Sequence, residues 1–141
     1  MTPGRPRILH LLGGAGVENA SIARIVVMLA EQLPGYQMSA WFLEGDGPLR
    51  QEMPPVVETR AFPFRFNSIS AQWSLWRAVR RAEAELIHFH LWSRRTLWTT
   101  YSAARVPVLL HLHSHVRETD RPQARVRGVR GADAVVATSQ A

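Results

Sequence analysis

Six short apolar runs alternate with stretches whose apolar residues recur at helical spacing, and this alternation constrains the fold more than any other feature of the chain. The runs cover residues 7–12, 37–43, 56–62, 86–90, 106–115 (the strand itself 106–113) and 134–138. Several are continuously rich in Val, Ile, Leu or Phe, the pattern of strands buried on both faces. Between them the spacing predicts helices over 20–33, 70–84, 93–104 and 122–130, with a short helix that must end before Pro54-Pro55. Strand and helix in alternation imply an α/β fold: a Rossmann-like parallel sheet of about six strands with helices on both faces. All loops that follow strands then collect on one edge, where ligands of such sheets bind.

The length of 141 residues fits one domain, and no linker or repeat divides it. There is no cysteine, which removes a disulfide framework, a thiolate nucleophile and any cysteine-based zinc site. No apolar run approaches the roughly 20 residues of a bilayer span, and no leader precedes the first strand, so the expectation is a soluble cytoplasmic protein. All 17 basic residues are Arg against 11 acids, a formal charge of +6 that favours anionic partners. Nucleic acid is not expected among them, because the Arg residues are dispersed and no recognition motif appears.

Chemistry concentrates in two places. Gly13, Gly14 and Gly16 stand between the first strand and first helix, where glycines let an anion approach unpaired first-turn amides. The spacing is not that of a dinucleotide fingerprint, and a tight turn without a ligand is the equal alternative. The second place is the histidines, all six of which lie in apolar runs: His10, then His88 and His90, then His111, His113 and His115. Alternation along a strand makes His88 and His90 point one way, and His111 and His113 likewise. Two readings stay open. His-x-His on a strand can present two imidazoles to a metal, as in a metal-dependent hydrolase. Alternatively, His90 and His113 sit at the ligand edge to bind hydroxyls or assist proton transfer, while His10, His88 and His111 lie deeper as core residues.

Trp73, Trp76, Arg77, Arg80 and Arg81 give one predicted helix aromatic and basic faces. Packing of Trp76 in the core with solvated arginines is favoured over contact with an anionic membrane. Arg117 follows the fifth strand closely enough to reach the ligand edge.

In order and spacing these segments resemble the amino-terminal, acceptor-side domain of GT-B glycosyltransferases of family 4. The resemblance rests on the opening strand with Gly13 to Gly16, the turn Gly45-Asp46-Gly47-Pro48-Leu49, Leu86-Ile87-His88-Phe89-His90, the strand ending in His113, and Ala132-Asp133-Ala134-Val135-Val136-Ala137-Thr138-Ser139. It implies a retaining sugar transfer from a nucleotide-diphosphate sugar to an acceptor glycan, lipid or small molecule, with no bound metal. His113 is then the catalytic residue facing acceptor and sugar, Gly14 and Gly16 approach the donor diphosphate, and His90 lines the acceptor side; Arg117, from its place after the fifth strand alone, is the remaining substrate-binding candidate. The family's loop continues differently from Val17-Glu18-Asn19. Residues 1–141 are expected to be one half of a GT-B fold, without the donor-binding domain and inactive alone. A non-catalytic pairing module is the remaining alternative, and peripheral contact at the inner membrane face is the one expected addition to a cytoplasmic location.

Overall fold

A computed structural model describes residues 4–62, 68–90, 93–113 and 130–137. The described strands form one six-stranded sheet, β1 (Arg7–Leu12), β2 (Gln37–Phe42), β3 (Val57–Ala61), β4 (Leu86–Phe89), β5 (Val108–Leu112) and β6 (Ala134–Ala137). Every described pairing is parallel and the order is β3-β2-β1-β4-β5-β6. The chain therefore leaves β1 in one direction to build β2 and β3, and later returns to its other side to build β4 to β6. The reversal lies between β1 and β4, the place where open parallel sheets hold ligands beyond their carboxyl ends.

Four helices complete the described fold: α1 (Ala20–Gln32), α2 (Pro48–Glu52), α3 (Ile69–Arg81) and α4 (Arg94–Ala103). Their ends follow from local chemistry. A single 3-10 turn, Val17–Asn19, leads into α1, which stops one residue short of Pro34. The hydroxyls of Ser68 and Ser93 accept the backbone N–H groups of Ala71 and Thr96, capping α3 and α4. Between β2 and α2, Gly45 takes φ +103°, and a Cβ on Gly47 would lie 2.7 Å from the carbonyl oxygen of Ala15, so both turn positions require glycine.

Two apolar cores sandwich the sheet. On one face Ile8, Leu12, Met38, Ala40, Phe42 and Val57 pack with Ala23 and Val26 of α1 and Leu49 of α2. On the other, Leu9, Leu11, Ile87, Phe89, Val108 and Leu110 pack with α3 and α4 through Leu75, Val79 and Leu97. Trp76 packs against this second core, as expected. The element boundaries fall within a few residues of those read from the sequence. The largest difference is α3, which ends at Arg81 rather than 84: Ala82 turns extended, Ala84 enters the core, and the Glu85 N–H donates to the Arg7 carbonyl to start the β4 register. The expected helix over 122–130 lies outside the described residues except Arg130.

Candidate functional site

The register places His10 of β1 directly beside His88 of β4. With β5 next in the sheet, His111 and His113 join them, so five imidazoles share the face that β1 to β3 use for hydrocarbon. His10, His88, His90 and His111 are buried, whereas His113, one residue past β5, is partly exposed. Their nitrogens meet in sequence: His10 Nδ1 lies 3.0 Å from His90 Nε2, and His90 Nδ1 lies 2.9 Å from His113 Nε2. A separate pair joins His88 Nε2 to His111 Nδ1 at 3.2 Å.

One contact fixes the direction of the longer chain. His10 Nε2 sits 3.4 Å from the thioether sulfur of Met38, which has no hydrogen and can only accept. A proton on His10 Nε2 leaves Nδ1 as the acceptor, so His90 donates from Nε2. His90 Nδ1 must then accept, and His113 donates from Nε2. The bonds run His113 to His90 to His10 to Met38, which leaves the lone pair of His113 on Nδ1.

This arrangement requires neutral rings, and burial supplies the reason. Desolvation pulls His10 down from 6.5 to about 4 and is the main cause for His88, held at about 3 with added repulsion from neighbouring imidazoles. His90 is lowered further by burial and by all four neighbours. His113 falls to about 4 through desolvation and then His111, and His111 itself is lowered by burial. No carboxylate offsets these effects among the described contacts of the cluster, so the rings act as neutral donors and acceptors at physiological pH.

The glycine loop begins three residues after His10, at the same rim. Asn19 donates from Nδ2 to the Gly14 carbonyl at 3.1 Å, and the Leu49 N–H donates to the Ala15 carbonyl at 3.0 Å. The carboxylate of Glu44, an exposed residue, packs over the loop: its Oε2 would lie 3.3 Å from a Cβ on Gly14. That carboxylate opposes any anion at the loop's amides, because like charges repel at this range. Gly16 caps the 3-10 turn and faces the Glu18 side chain.

The expected site residues thus divide. His90, His113, Gly14 and Gly16 lie along the carboxyl rim of β4, β5 and β1, while Arg117 and His115 lie outside the described residues. His90 is 3% exposed with both ring nitrogens engaged, so it stands behind His113 instead of opening to solvent. His10 and His88 are buried core residues, as expected, but His111 keeps a buried Nε2 without a hydrogen-bond partner among the described residues. Sequence reasoning missed the roles of Met38 and Glu44. The adjacency of β1 to both β2 and β4 was the signal needed, since it brings Met38 and His90 to His10.

Residues 21–141 match the family model of Glycosyltransferase Family 4. The chain belongs to that family. Its fold is the Rossmann-like half of a GT-B architecture, similar to MurG of Acinetobacter baumannii with a TM-score of 0.62 at 14% identity. The match covers 96% of this chain and 42% of that MurG, so the chain spans under half of its length. A wide-type short-chain dehydrogenase/reductase from Veillonella parvula, solved with NADP, is similar at a TM-score of 0.55 and 15% identity, covering 93% of this chain and 67% of that one. Both likenesses concern the fold, which open parallel sheets share across unrelated chemistries. No curated protein matches the sequence.

Proposed function

We propose that this chain is the acceptor-binding half of a retaining glycosyltransferase that draws on a nucleotide-diphosphate sugar. The carrying observation is that the glycine loop after β1 and His113 after β5 follow parallel strands to the same rim, joined through His10 and His90. Gly14 and Gly16 approach the donor diphosphate once Glu44 swings aside, and backbone amides stabilise the charge that develops as it departs. The Nδ1 lone pair of His113 accepts a hydrogen bond from the acceptor hydroxyl and holds that oxygen near the anomeric carbon, a gain in orientation. His90, locked behind it, keeps the ring in that tautomer. Arg117, outside the described residues, is the proposed cationic contact for the substrate. No step in this scheme requires a metal ion.

The test is transfer from a panel of nucleotide sugars, with EDTA present, by a complete two-domain enzyme that contains this half, with the product anomer read by NMR. Retained configuration, together with a loss of roughly 100-fold for His113→Gln, is expected. Inverted product, or transfer indifferent to His113→Gln, contradicts the proposal.

One further observation bears on the acceptor. Ile69 and Trp73 lie one turn apart on α3 and are 84% and 58% exposed, with Arg77 and Arg80 on the same helix. They support an acceptor met at an anionic membrane surface. Among the described residues no helix is long and apolar enough to cross a membrane. Co-sedimentation with acidic vesicles that Trp73→Ser reduces is the expected result, and equal binding to neutral vesicles contradicts it.

A further inference from the structure

We propose that His90, His111 and His113 form a binding site for a transition-metal ion such as Zn²⁺ or Co²⁺ at the rim of the sheet. One nitrogen from each of the three rings lies within 4.8 Å of the others. Ligands about 2.0–2.1 Å from a tetrahedral ion stand about 3.3 Å apart, so small ring rotations close the set. The 2.9 Å separation of His90 Nδ1 and His113 Nε2 is already near that value.

A second observation points the same way. Among the described residues, His111 Nε2 is a buried nitrogen with no hydrogen-bond partner, on a residue only 9% exposed. A ligated ion supplies that partner. The remaining nitrogens are arranged as metal-binding histidines require: His111 Nδ1 faces His88 Nε2, and His90 Nε2 donates to His10 Nδ1, so outer imidazoles orient both ligands. His10, His88 and His90 also cluster, but all three are buried, whereas partly exposed His113 gives an ion a way in.

Loading is a tautomer exchange. Without metal, His113 carries its proton on Nε2 and donates to His90 Nδ1. The ion takes the lone pairs of both nitrogens, and the His113 proton relocates to Nδ1, so the neutral ligands release no net proton. An all-imidazole set suits zinc, cobalt, nickel or copper over magnesium or calcium, which prefer oxygen. Resting on the function proposed above, one consequence follows: the ion removes the Nδ1 lone pair from acceptor binding and inhibits transfer.

The binding test needs no sugar substrate, so its failure is separable from failure of the transferase reading. Untagged full chain, stripped with EDTA and dialysed, is titrated with Co²⁺ and then Zn²⁺. The expected result is one Co²⁺ per chain, with the intense visible absorption of a low-coordinate site, displaced by Zn²⁺. His111→Gln and His113→Gln each abolish it, and His88→Gln weakens it roughly 10-fold. In wild-type protein, histidine ¹⁵N spectra show His113 moving from the Nε2–H to the Nδ1–H form as Zn²⁺ binds, a readout independent of whether a variant folds. Absence of stoichiometric binding, or binding that leaves the ring nitrogens of His90, His111 and His113 unshifted, overturns the proposal.

Discussion

Strands β4 and β5 present two faces built from neighbouring residues and opposite chemistry. Toward α3 and α4 they offer Ile87, Phe89, Val108 and Leu110, none more than 3% exposed. Toward the other side they offer His88, His90, His111 and, just past β5, His113. Burial is similar for most of these residues, but its physical consequence is not. The hydrocarbon face gains from dispersion and from exclusion of water, and is indifferent to pH. The imidazole face survives only while its rings remain neutral and share N–H···N bonds, since a buried charge without a counter-ion is costly. The sheet thus keeps its rigidity on one side and its chemistry on the other, a single residue apart along each strand.

The widest separation between the two faces is expected in acid. The folded-state pKa values of these histidines lie below the ordinary 6.5, so the unfolded chain binds more protons as pH falls. Their contribution is fully present above about pH 6.5 and is lost downward toward about 4 or 3, each deeply buried ring costing about 1.4 kcal/mol per pH unit. Urea midpoints are predicted to fall steeply from pH 7 to 5; a flat profile breaks the comparison. On the apolar face, Phe89→Ala is predicted to cost about 3–5 kcal/mol, equally at pH 7 and 6, because only a cavity is created. A cost that grows in acid would show the faces to be coupled.

Smaller effects sharpen the account of the imidazole face. His88→Leu leaves His111 Nδ1 unpaired and is predicted to destabilise by about 1–3 kcal/mol at pH 7, whereas adding His111→Leu recovers part of that loss. Additive losses in the urea-derived double-mutant cycle contradict the pairing. The smallest change expected is from Met38→Leu, under about 1.5 kcal/mol in stability. Its signature is spectroscopic: without the sulfur acceptor, His10 no longer fixes the tautomers of His90 and His113.

Much of the fold was legible because period-two and helical spacing are local properties of the chain. The alternation of runs, the stops at Pro34 and Pro54, and the shared direction of His88 with His90 all follow from neighbours in sequence. The family resemblance was legible for the same reason, being carried by short motifs in order. What could not be read was lateral register. That His10 faces His88, that the two His-x-His pairs occupy one face, and that Met38 reaches His10 depend on β1 lying between β2 and β4. Glu44 over the glycine loop is likewise a product of β1 and β2 ending side by side. His90 looked open at a strand end in sequence, yet neighbouring strands on both sides close over it.

The central claim is that His113, His90 and His10 form a neutral, one-directional chain ending on Met38. Long-range ¹H–¹⁵N spectra of the histidine rings at pH 7 test it directly, and the predicted result is three neutral imidazoles in the Nε2–H form, with couplings across the His113–His90 and His90–His10 bonds. Rings that titrate independently near pH 6.5, or a His113 in the Nδ1–H form without added metal, would contradict it.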